Sequence, residues 1–343
     1  MSQLDNPQLL LEWARDLGKT YPFLDLHVHP YEVLTGDVGF NPDPQIEGLF
    51  NKGLFKYHPP VLDDINPTQP IPDNQRALLL AARLTYNHTG PKVLTDQIDL
   101  AGLSGALLLP VARTAGKAEE MLEVSQKMFE KEVRLFPGCA LPIDIQPDKL
   151  ADFFRFARQR NGIRAIKLHH NLTGIDPLTK KGEDLTNATL VAVGELNLPM
   201  VVHGGRSPGL EPIECREYGT ISRLAMVNWS ISTAPVILAH AGCYGLTHAE
   251  SIDTLTILNN LFEKHSNLMA DTSNLEPSIL QLVLEKISPT RLVFGSDALY
   301  VPIWKAWLRF LQTLQLVSAH PDNDLIHIAS LNPARCLSVS PIF

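Results

Sequence analysis

The chain has 343 residues, 45% of them hydrophobic and 19% charged, with 26 Pro, 21 Gly, four Cys and a net charge of -8. That composition excludes disorder, a collagen-like repeat and a disulfide scaffold. Twenty-nine basic against 37 acidic residues, with no Lys/Arg run, leave no electrostatic footprint for nucleic acid or an anionic membrane.

The first segment, MSQLDNPQLLLEWARDLGKTYP, mixes acids into its apolar pattern and lacks a basic start followed by an apolar core, so no secretory signal is expected. Short apolar runs rich in β-branched residues then recur, each followed by helical periodicity. The expected strands are 23–29, 105–110, 135–140, 165–169, 200–203, 236–240, 268–271 and 292–297. The expected helices between them are 117–132, 147–160, 184–196, 221–232, 251–265, 277–286 and 302–316. From the second strand onward the strand ends recur about every 30 residues, the length of one β-α unit. Eight such units favour a closed (β/α)8 TIM barrel. A doubly wound sheet would carry a Gly-rich phosphate loop after its first strand, where this chain reads His27-Val28-His29-Pro30. None of the apolar runs reaches the roughly 20 residues that cross a bilayer.

The first unit breaks the rhythm. Its Pro-rich insertion, about residues 30–90, holds Pro30, Pro42, Pro44, Pro59, Pro60, Pro67, Pro70 and Pro72 and then an expected extra helix at 74–87, and is followed by a connecting helix at 92–101. Loops after barrel strands lie on the active face, so the insertion reads as a lid or pocket wall, or else as a surface elaboration or oligomer contact. The whole chain, 1–343, reads as one domain with a barrel core of about 21–340. Cys139, Cys215, Cys243 and Cys336 form no C-x-x-C pair, which suits a reducing cytoplasm.

In Asp25-Leu26-His27-Val28-His29, strand alternation sends positions 25, 27 and 29 to one face. Two imidazoles then leave one strand together and can present two neutral nitrogens to one cation. Other strands end in Lys167-Leu168-His169-His170, Val202-His203, Ala239-His240 and Ser296-Asp297. In a barrel these ends converge on one mouth. His27, His29, His203 and Asp297 supply the three or four N/O ligands that a zinc-type ion takes. His170 faces the other way and reads as structural. His58, His88, His248, His265, His320 and His327 lie outside strand ends.

FLDLHVHP, IKLHH, VVHGG, ILAHAG, VFGSDA and the late SLNPARCL together resemble the amidohydrolase superfamily, in its branch of amidohydrolase-related metal-dependent TIM-barrel proteins. The resemblance runs from about Phe23 to Leu337. It implies that His27, His29, His203 and Asp297 bind a divalent metal, commonly zinc, as one ion or two, and that His240 contacts substrate or polarises the reacting group. In binuclear members a carbamylated lysine bridges the metals, at a place near Lys167, which otherwise reads as an ammonium that neutralises charge or anchors substrate.

A bound zinc ion lowers the pKa of its water to about 7, which supplies hydroxide at neutral pH. Asp297 would accept and deliver the proton, His240 would polarise a carbonyl, and Asp25 would orient a neighbouring ligand. His169, Arg206, Arg113, Tyr244 and Tyr300 are the candidate substrate contacts. The expected function is hydrolysis of an amide, lactone or ester bond in a small polar molecule. The alternatives are non-oxidative decarboxylation or hydration of a small carboxylic acid, and a silent binding barrel. The expected partner is a small-molecule substrate, together with a second copy of the chain.

Overall fold

The computed structural model describes residues 6–29, 90–112, 114–207, 212–298 and 301–338. The Pro-rich insertion, the helix expected at 74–87, Arg113, Tyr300, His58 and His88 lie outside them. Eight parallel strands, β1 (Leu24–Val28), β2 (Gly105–Leu108), β3 (Leu135–Ala140), β4 (Ala165–Leu168), β5 (Met200–Val202), β6 (Val236–Leu238), β7 (Leu268–Asp271) and β8 (Leu292–Val293), pair in sequence order. The ends of that sheet meet: Leu26 N donates to Phe294 O at 3.0 Å, Asp297 N to His27 O at 2.8 Å and His29 N to Ala298 O at 2.8 Å. The architecture is the expected (β/α)8 barrel.

Side-chain alternation divides each strand between two cores. Ile166, Leu168, Met200, Val202, Val236, Leu238, Leu268 and Ala270 pack outward against the helices. Ala165, Val201, Ile237, Met269 and Val293 form an apolar plug inside the barrel. Two residues further along the same faces stand Lys167, His203 and Asp271, so the plug seals the floor of the polar site from water.

Six strands end one to four residues earlier than the apolar runs suggest, and beyond two of them the backbone turns away from strand geometry. After β6 the chain turns through His240 at φ +56° and Ala241 at φ +46°, and after β8 Asp297 adopts φ +58°. Neither is compatible with a strand. The helix Lys180–Leu196 starts earlier than expected because the Thr179 hydroxyl accepts from Gly182 N, and His248–Lys264 starts at a capping box between Thr247 and Glu250. The helix expected over 221–232 is broken into Ile221–Leu224 and a 3-10 turn at Trp229–Ile231, because the Asn228 side chain takes Ser230 N and starts a new turn. The closing segment Asn332–Leu337 docks through the Asn332 amide, which donates to Pro289 O and Leu292 O at 2.8 and 2.7 Å. Among the described residues no helix is long and apolar enough to cross a membrane.

Candidate metal centre

The end of β1 sets the geometry. His27 Nδ1 donates to Asp271 Oδ2 at 2.8 Å, and His29 Nδ1 donates to the Leu109 carbonyl. Each ring carries its proton on Nδ1, so each Nε2 presents a lone pair. Those two Nε2 atoms lie 2.9 Å apart. Lys167 Nζ stands 3.0 Å from His27 Nε2, and Asp297 Oδ1 lies 3.6 and 3.5 Å from the two Nε2 atoms. The ligand atoms of His27, His29 and Asp297 all fall within 4.8 Å of one another, as do those of His27, His240 and Asp271. Two lone pairs and a carboxylate oxygen converging in a buried space suit a divalent cation, whose charge would offset their mutual repulsion.

Electrostatics keep the donors in ligand form. Burial, with His27 and Lys167 close by, holds His29 well below the usual imidazole pKa. Burial pushes Lys167 down to about 8, against the opposing pull of Asp271 and Asp297. Burial alone would raise Asp271, yet His27, His240 and Ser273 hold it below the ordinary carboxylate range. Asp271 therefore stays ionised and keeps the His27 tautomer fixed.

His240 is held by the same carboxylate. Its backbone N–H donates to Asp271 Oδ1 at 2.7 Å, and its Nδ1 lies 3.0 Å from Ser273 O and 2.8 Å from Ser273 Oγ. The Ser273 hydroxyl donates to Asp271 Oδ1, so its oxygen accepts from the imidazoles of His240 and, at 3.1 Å, of His27. Burial lowers His240 to about 4. A neutral ring with its proton on Nδ1 offers an acceptor at Nε2, whereas polarising a carbonyl, the role expected from sequence, needs a donor.

His203 lies outside both three-residue groups. Its ring stacks on His169 with centroids 3.8 Å apart, and its Nε2 is 3.2 Å from Ser207 Oγ. His169 Nδ1 accepts from Leu172 N at 3.3 Å, which leaves Nε2–H of that ring as a donor. Tyr244 stands against both, 4.9 Å from the His240 ring and 5.6 Å from the His203 ring. Arg206 is engaged by two carboxylates, with Nε 2.9 Å from Glu217 and Nη1 2.7 Å from Glu250. His170 turns its Nδ1 to Ile175 O at 3.1 Å.

Asp25 acts on the main chain rather than on a ligand ring: its Oδ1 accepts from His27 N and Ser296 N, each at 3.0 Å. The orienting carboxylate is Asp271. Ser273 and Asn274 were not singled out from the sequence, although the period-two spacing of Asp271 and Ser273 repeats that of His27 and His29 and would have put both on the barrel face.

The family model described as Amidohydrolase matches residues 25–339. No curated protein matches the chain. Among solved structures, 5-carboxyvanillate decarboxylase from Novosphingobium aromaticivorans, with bound manganese, is 11% identical with a TM-score of 0.57, covering 94% of this chain and 98% of that one. 2,6-Dihydroxybenzoate decarboxylase from Rhizobium is 13% identical with a TM-score of 0.56, covering 93% and 99%. 4-Oxalomesaconate hydratase from Rhodopseudomonas palustris is 14% identical with a TM-score of 0.55, covering 92% and 95%. At these identities the likeness is one of fold.

Proposed function

The chain belongs to the amidohydrolase family and is an enzyme of that metal-dependent superfamily, and from that premise we propose that it hydrolyses an amide, lactone or ester bond in a small polar substrate with the help of one divalent ion. The observation that carries this reading is the pair of unprotonated Nε2 atoms of His27 and His29 facing each other at 2.9 Å beside Asp297 Oδ1. His27, His29 and Asp297 would hold the ion, with His203 reaching it from β5. The ion supplies Lewis acidity and a water acidified to a pKa near 7.

The chain's own groups do the rest. The Asp297 carboxylate takes the proton of the attacking water and returns it to the leaving group. His240 Nε2, an acceptor, orients an O–H or N–H group of the substrate, and His169 Nε2–H is the matching donor across the pocket. Lys167, as an ammonium, balances the charges of Asp271 and Asp297. Tyr244 walls the pocket. Arg206 is already paired with Glu217 and Glu250, so the substrate contact assigned to it would require one of those pairs to open; Arg113 and Tyr300, which follow β2 and β8 in the sequence, are the other candidates. Zinc suits the nitrogen-rich ligand set, and the manganese bound by the Novosphingobium decarboxylase makes that ion the second candidate. Four free, buried cysteines support a reducing, cytoplasmic setting.

The shared fold of two decarboxylases and a hydratase favours, as a second reading, carbon–carbon cleavage or hydration of a small carboxylic acid. The two separate in one assay. Zinc- and manganese-loaded protein is offered a panel of lactones, amides and esters beside aromatic and unsaturated carboxylic acids. Acid release from the first group supports hydrolysis; release of carbon dioxide or water addition in the second, with none in the first, overturns it.

A further inference from the structure

Asp297 and Asn274 face each other across the ends of β8 and β7, and both occupy the left-handed region, at φ +58° and +47°. Non-glycine residues keep such conformations only where the surroundings over-determine them, and those places cluster at functional sites. Here the two strained residues are joined by one hydrogen bond. Asn274 Nδ2 donates to Asp297 Oδ2 at 2.8 Å, and both side chains are buried. The orientation of the amide follows from chemistry, since an ionised carboxylate accepts and cannot donate.

The two oxygens of Asp297 are therefore not equivalent. Oδ2 is committed to Asn274, while Oδ1 faces the Nε2 atoms of His27 and His29 at 3.6 and 3.5 Å. On the far side of the amide, Asn274 Oδ1 and Thr272 Oγ1 are buried without a protein partner among the described residues. Both residues line a small cavity together with Arg309, Gly295 and Phe310. Nothing in the metal reading so far requires an amide at position 274.

We propose that Asn274 is a positioning residue that commits one oxygen of Asp297 and leaves the other as the single atom this carboxylate offers to the ion. The inference rests on the metal-dependent reading of the site. The carboxylate would otherwise be free to turn about its Cβ–Cγ bond and to offer both oxygens, which changes the number of donors around a cation. The strained backbone at both residues fixes the direction from which the amide approaches, and the same strain tolerates few side chains other than Asn, Asp or Gly.

The test loads wild-type, Asn274→Gly and Asn274→Asp proteins with cobalt(II) alone. It reads stoichiometry by elemental analysis, affinity by competition with a chelator, and the visible absorption of the bound ion. Glycine removes the donor without strain at this φ; aspartate keeps the shape and replaces the donor with an acceptor. The expected result is one equivalent in all three, an affinity lowered about 10- to 100-fold in Asn274→Gly, and a cobalt band altered in both variants because the freed second oxygen joins the donor set. A purely structural amide would change thermal stability and leave the band where it is, so an unaltered band and affinity in folded Asn274→Gly overturn the proposal. Wild-type protein that takes up no cobalt overturns the metal reading itself, and the positioning role with it.

Discussion

His27 and His29 point their Nε2 atoms at each other across 2.9 Å, and each has its other nitrogen tied to an acceptor of its own, Asp271 and the Leu109 carbonyl. Both rings are thereby fixed in the tautomer that binds a cation. The Lys167 ammonium, 3.0 Å from His27 Nε2, already answers one of the two lone pairs. The arrangement is held by hydrogen bonds to Asp271 on β7 and to Leu109 just beyond β2, so ligand direction depends on residues that would not touch the ion.

Asp271→Asn tests that dependence. The variant keeps the size of the side chain and removes the charge that fixes the His27 Nδ1 proton, so metal affinity should fall about 10- to 100-fold. Chelator competition measures it. An unchanged affinity would mean that the imidazole is oriented by its neighbours on β1 alone.

Acid should destabilise the metal-free protein between about pH 6.5 and 4, with Asp25, which burial raises to about 7, as the one carboxyl among the described residues that opposes the buried histidines. Burial keeps His29, His169 and His203 well below the ordinary imidazole pKa, and His170 and His240 at about 4. In the unfolded chain each takes a proton as pH falls through about 6.5. The unfolded state then binds more protons than the folded one, so stability falls as pH drops from about 6.5 towards 4. Thermal melts in chelator should show the transition temperature falling steadily from pH 7 to pH 5; a constant value would show that these rings are not buried as neutral groups.

Gly295 and Gly162 offer a contrast within one fold. A Cβ on Gly295 would stand 2.8 Å from His27 Cβ and 3.2 Å from Ser273 Cβ, whereas one on Gly162, at φ +66°, would meet nothing within 4 Å. Gly162→Ala should cost about 1–2 kcal/mol from backbone strain alone and leave metal content unchanged. Gly295→Ala should cost about 1–3 kcal/mol by overpacking and also lower metal affinity by displacing His27. Equal metal affinity in both variants would contradict the placement of Gly295 under the ligand.

His240→Asn should keep the metal and lose turnover. The ring is held through Nδ1 by Ser273, its main-chain N–H by the Asp271 carboxylate, and Nε2 is the ring atom left to meet substrate. Elemental analysis and activity on the same sample separate the outcomes. Loss of the ion in this variant would place His240 among the ligands, in the second group it forms with His27 and Asp271.

Most of the barrel was legible because each strand carries a period-two signal and each helix a period near 3.6, and the β-α spacing is regular after residue 110. The convergence of His27, His29 and Asp297 followed from the rule that strand ends share one mouth. What the sequence does not show is a side chain's partner, which is set by the third dimension. The carboxylates that engage Arg206, Glu217 and Glu250, lie 11 and 44 positions away in the chain. Asp25 looked like the orienting carboxylate because it shares a strand with the ligands, yet Asp271 performs that task from a residue 244 positions distant. The helix over 221–232 failed at Asn228, where a local side-chain hydrogen bond outweighs propensity. The left-handed backbone at Asn274 and Asp297 leaves no trace in composition or periodicity.

The central claim is that His27, His29 and Asp297 form the heart of a site for one divalent ion. Elemental mass spectrometry on protein purified without chelator, beside a His27→Ala/His29→Ala double variant, tests it most directly. About one equivalent of zinc or manganese in the wild type, absent from the folded double variant, is the predicted result. Metal-free wild-type protein that stays metal-free after incubation with either ion, or a double variant that retains the full equivalent, would contradict it.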